Sequence, residues 1–134
     1  MLRLTLAVAT SYLILQVLVL ATRVALVRLF FHTTALAVDP DAVTPAFLLA
    51  NAVANLVYAV IAGCIAAALG RKHEAPTVLG ALLLGMAVGS LVMNWGGFPL
   101  WYAAVIPVSS AVAATVAGYT WLGPPPAALK QRTK

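Results

Sequence analysis

Any chemistry in this sequence must come from a few polar side chains set in apolar surroundings. Asn51, Asn55 and Tyr58 are spaced i, i+4, i+7 within residues 46–69, a run of 24 residues without a charge. On a helix that spacing draws one polar stripe. Thr5, Tyr12, Gln16 and Arg23 fall within about 20° of a second line on a helix through the first apolar segment. Amide, phenol and guanidinium groups so arranged can line a path for a small polar solute, or bond one another across two helices. The second use is the reading preferred here, because the two stripes can satisfy each other without a ligand. Such contacts inside a membrane are worth about 0.6 kcal/mol on average and up to ~2.

Acid–base chemistry is harder to build. The carboxylates are Asp39, Asp41 and Glu74, and all three fall between the apolar segments. Small proton-coupled multidrug exporters are also four-helix proteins of about this length. They depend on a glutamate embedded in their first helix, which this chain does not have, so the similarity ends at size. A proton relay built on Asp or Glu is excluded on the same ground.

Arg23, Arg28 and His32 lie near the far end of the first segment. There they are placed to contact an anionic lipid headgroup, a quinone-type ligand or an acidic partner. The alternative is snorkelling to the interface with Asp39 or Asp41 as counter-ions. Axial ligation of a haem or pigment needs only one histidine, but His32 stands at a helix end and reads as interfacial. Cys64 is the single cysteine, which excludes an internal disulfide or a cysteine metal cluster within one chain. No nucleophile elbow, phosphate loop, zinc-protease helix or CxxC occurs, so no catalytic residue, cofactor or metal is assigned.

The elements that hold these groups follow from composition. Of 134 residues, 63% are hydrophobic and only 8% charged, and the mean hydropathy is +1.03. Soluble domains carry roughly a quarter charged residues. The fold expected is all-α, an integral membrane four-helix bundle with antiparallel up-down topology and helices at 4–31, 45–69, 77–94 and 100–122. The first apolar run is longer than a signal-peptide core of ~7–15 residues, and the small-x-small pattern at 35–37 lies far beyond it. It is therefore read as a retained transmembrane helix. Residues 1–123 form one domain and 124–134 a Pro-rich, basic cytoplasmic tail.

Turn signals mark the helix ends. Asp41 or Thr44 can cap helix two with Pro45 in its first turn, and Gly70 suits its C-terminus. Asn94 to Pro99 reads as a tight turn. Pro107 should kink helix four. Trp101 and Trp121 are 20 residues apart, about 30 Å on a helix, as two aromatic belts require. Two faces of small residues, Ala81-Gly85-Gly89 and Ser110-Ala114-Gly118, permit close helix approach.

Charge then sets orientation. Arg3, Arg71, Lys72 and the tail's Lys130, Arg132 and Lys134 belong on one side, and Asp39 and Asp41 on the other. By the positive-inside rule both termini are cytoplasmic, in what is expected to be a bacterial cytoplasmic membrane. The basic residues do not gather on one face, so nucleic acid is not a partner. The function expected is a non-enzymatic accessory or scaffolding subunit packed against other transmembrane proteins, with membrane lipids as its surroundings. The alternative is a small homo-oligomeric transporter or channel for a small polar or hydrophobic solute.

Overall fold

The computed structural model describes residues 2–32, 43–72, 74–93 and 99–123. The residues that carry Asp39 and Asp41, His73, the 94–98 turn and the tail from 124 onward lie outside them. The chain forms four helices packed in a bundle: α1 (Leu2–Phe31), α2 (Pro45–Gly70), α3 (Glu74–Met93) and α4 (Leu100–Leu122). α1, α2 and α4 are long and apolar enough to cross a membrane, while the apolar part of α3, Glu74–Gly89, is shorter.

The exterior is predominantly apolar. Leu13, Val17, Val57, Val88, Val112 and Trp121 are exposed, the reverse of a soluble surface and the arrangement lipid demands. The molecule is a small integral membrane helical protein.

Local chemistry accounts for the boundaries. Thr44 caps α2, its side chain accepting from the Phe47 N–H at 3.3 Å, and Pro45 occupies the first turn, where a missing N–H costs nothing. The other end of α2 departs from the sequence reading. Gly70 remains helical, and the left-handed residue is Arg71 at φ 52°. Gly70 serves packing instead, since a Cβ there would stand 2.6 Å from the Ala75 Cβ. The Arg3 Nε also donates to the Leu69 carbonyl at 3.1 Å, satisfying one of the free carbonyls at that helix end. α3 starts at Glu74 rather than at 77, because proline is tolerated in a first turn and a glutamate is favoured at a helix N-terminus. His32 closes α1 in left-handed geometry at φ 51°, its N–H on the Arg28 carbonyl.

Around the bundle the order is α1, α2, α4, α3. α2 packs most extensively on α4 and α1, and α3 on α4. α1 meets α3 lightly, and among the described residues α1 and α4 nowhere bring Cα atoms within 8 Å.

The core falls into two clusters. One is rich in alanine, with Ala59, Ala62, Ala66, Ala75, Ala111 and Ala114 beside Val8, Leu15, Leu79 and Leu83, and draws on all four helices. The other is aromatic, with Phe47 and Tyr102 beside Val27, Leu48 and Ala52, and draws on α1, α2 and α4 without α3.

Candidate functional site

The register between α1 and α2 sets the depth of every polar group. At one end Ala7 lies against Gly70. At the other, the rings of Phe31 and Phe47 meet edge to face with centroids 5.2 Å apart. Arg23 on α1 is therefore level with about Asn55 on α2. The first residues of α1 overhang the end of α2. Centring a ~30 Å hydrocarbon layer on α2 puts the Arg23 Cα within about 5 Å of its midplane. On that placement Arg23 lies inside the apolar layer, and Arg28 stands in the last turn of α1; both are exposed on the bundle. In that last turn Arg28 complements the helix dipole.

A cavity of about 360 Å³ opens at this level and is lined from all four helices. Its polar wall comprises Gln16 and Arg23 of α1, Asn51 and Asn55 of α2, and Tyr102 and Ser110 of α4. Leu83, Met86 and Ala87 of α3 supply an apolar wall. Ala103 and Pro107 complete the α4 side. Pro107 has no N–H to offer the Ala103 carbonyl one turn earlier. Nearby, the Ser109 hydroxyl donates back to the Val105 and Ile106 carbonyls at 2.7 and 2.9 Å.

The stripes meet, but by bonds that their spacing does not announce. Tyr58 pairs with Thr22 at 2.6 Å, a second polar link between α1 and α2 beside that of Arg3. Asn51 donates to the Tyr102 hydroxyl, tying α2 to α4. Asn55 donates to the Asn51 carbonyl of its own helix at 2.7 Å. Tyr12 is half-buried against the alanine-rich cluster. Gln16 shares the cavity with both asparagines, yet no hydrogen bond joins it to another described residue.

Sequence reasoning missed Thr22 and Tyr102. Thr22 stands beside Arg23 and off the main stripe. Tyr102 sits two residues past the start of α4, where an aromatic reads as part of an interfacial belt.

The two small-residue faces have separate fates. Ala114 and Gly118 are buried; a Cβ on Gly118 would press on Pro76 and stand 2.9 Å from the Gly63 carbonyl. Ser110 is half-buried at the cavity. Ala81, Gly85 and Gly89 are exposed, and nothing lies within 4 Å of a Cβ built on either glycine. The glycines that the bundle uses for close approach are Gly63, Gly70, Gly80 and Gly118. Gly63 and Gly80 were not singled out from sequence as packing residues.

His32 is exposed at the end of α1 and away from the cavity lining. Among the described residues no group of three or more His, Cys, Asp or Glu is placed to hold a metal ion. No family model, curated protein or solved structure matches the chain.

Proposed function

We propose that the chain is a non-enzymatic accessory subunit that packs against other transmembrane proteins in a larger complex. One observation carries this: the Ala81-Gly85-Gly89 face of α3 is bare while the bundle's own close contacts use other glycines. A bare small-xxx-small face admits a further helix at short range. The test is particle composition after extraction in mild detergent from the native membrane. Co-purification with larger membrane proteins in fixed ratio is expected, and Gly85→Leu with Gly89→Leu should abolish it while leaving the monomer folded. A double variant that still co-purifies would sink the docking face.

A second reading, a small homo-oligomeric transporter, is favoured by the polar cavity at the bundle's mid-depth. Recovery of a dimer or tetramer of this chain alone would support it over the subunit reading. For either function the expected orientation has both termini cytoplasmic, on the strength of Arg3, Arg71 and Lys72 against Asp39 and Asp41. An impermeant thiol reagent applied from outside should label a cysteine at position 41 and spare one at position 72.

A further inference from the structure

We infer that the 360 Å³ cavity is a binding site for an amphiphilic oxyanion, a phosphate or carboxylate on an apolar chain, with Arg23 as its counter-ion. The inference rests on the cavity and not on the docking of α3, so either can fail without the other.

Charge comes first. A guanidinium near the midplane is costly unless it meets an opposite charge or water. Among the described residues no hydrogen bond or ion pair engages Arg23, and the one carboxylate described, Glu74, lies at the opposite end of the bundle. The cavity wall holds no acidic side chain. It does hold Gln16 and Asn55, whose amides supplement a planar guanidinium that binds oxyanions in bidentate fashion.

Shape and polarity then specify what carries the anion. The volume lies within the roughly 300–1,000 Å³ of ligand sites. Leu83, Met86 and Ala87 of α3, with Ile106 between Tyr102 and Ser110 on α4, suit an alkyl chain and offer no side-chain hydrogen bond. Gln16 and Arg23 on α1 and Met86 on α3 are exposed as well as lining. α1 and α3 also meet only lightly. The mouth therefore faces the seam between α1 and α3, toward the surroundings of the bundle. An entrant from that side arrives from lipid, with its own apolar body.

The experiment uses the full chain in a neutral maltoside detergent, with dodecyl phosphate, dodecanol and inorganic phosphate as probes and native mass spectrometry as readout. One dodecyl phosphate per protein is expected, and no dodecanol. Arg23→Gln should weaken retention by about ten- to hundredfold, the scale of a lost charge-assisted contact. Arg28→Gln, the same charge change outside the cavity, should alter it by no more than about twofold.

If Arg23→Gln does not fold, Arg23→Lys, which keeps the charge and loses the bidentate fork, should bind several-fold more weakly than the unaltered chain yet still prefer dodecyl phosphate to dodecanol. Ala103→Leu, which fills the cavity and leaves the charge, should lose it. Asp39→Asn with Asp41→Asn should leave retention unchanged; a gain would mean that those carboxylates are the partners of Arg23, and the site would be theirs. Preference for inorganic phosphate would overturn the lipid origin. Equal binding of dodecanol, or undiminished binding by Arg23→Gln, would overturn the anion site itself.

Discussion

Toward the end of the bundle marked by Gly70, the helices touch through alanine and glycine, and all four contribute. Toward the end marked by Phe47, three helices meet through aromatic rings, while α3 contributes nothing to the cluster and a cavity opens beside it. The same chain thus packs by two rules. In lipid no water is expelled when helices meet, so association depends on contact area and hydrogen bonds. Alanine and glycine increase contact by letting backbones approach; phenylalanine and tyrosine increase it by filling a wider gap. The first solution leaves no room for error, and the second leaves room for a guest.

Substitution should expose the difference. The largest effect is expected at Gly63, where a Cβ would fall on the Ala114 carbonyl, a backbone atom that cannot rotate away. Gly63→Ala should cost about 3 kcal/mol or more in reversible unfolding, at the upper end of overpacking penalties. Gly118→Ala meets the Pro76 ring and should cost about 1–3 kcal/mol. At the aromatic end the matching insertion, Ala103→Leu, points into the cavity and should cost less than ~1 kcal/mol by the same assay. Equal penalties at Gly63 and Ala103 would erase the distinction between the two ends.

A smaller loss is expected for Tyr58→Phe, which removes the bond to Thr22 and should cost about 0.6 kcal/mol, up to ~2. Gln16→Leu should cost less still, because Gln16 engages no described residue by hydrogen bond. Smallest, and opposite in sign, is Gly85→Ala. With nothing near its Cβ it should gain about 0.5–1 kcal/mol, the usual return for removing an exposed helical glycine. Thermal unfolding of the isolated protein in detergent measures all of these.

The architecture was legible because hydropathy and length act on each segment alone. Four apolar runs separated by Pro, Gly and charge leave little choice of fold, and the Thr44 cap with Pro45 behind it reads directly from the residues. Contacts between segments are less visible. A small-residue face announces that a helix can be approached, and gives no sign of which neighbour, if any, will do so. Ala114 and Gly118 are covered, while Gly85 and Gly89 are bare. Depth is hidden for a related reason: position along one helix says nothing of where its neighbour begins, and α1 overhangs α2 at the Gly70 end. That offset moves Arg23 from an expected interface toward mid-depth beside Asn55, Tyr102 and the cavity.

The gradient in side-chain size has a mechanical side. Alanine and glycine let helix axes approach at one end and rings hold them apart at the other, so the side chains favour unequal cross-sections. Embedded in a bilayer, such a wedge displaces less area from one leaflet than from the other. It then couples to the lateral pressure profile, sitting at least cost where the leaflet around the aromatic end is stretched. The α1–α3 seam, where two neighbouring helices meet only lightly beside the cavity, has little contact with which to resist a change in that profile.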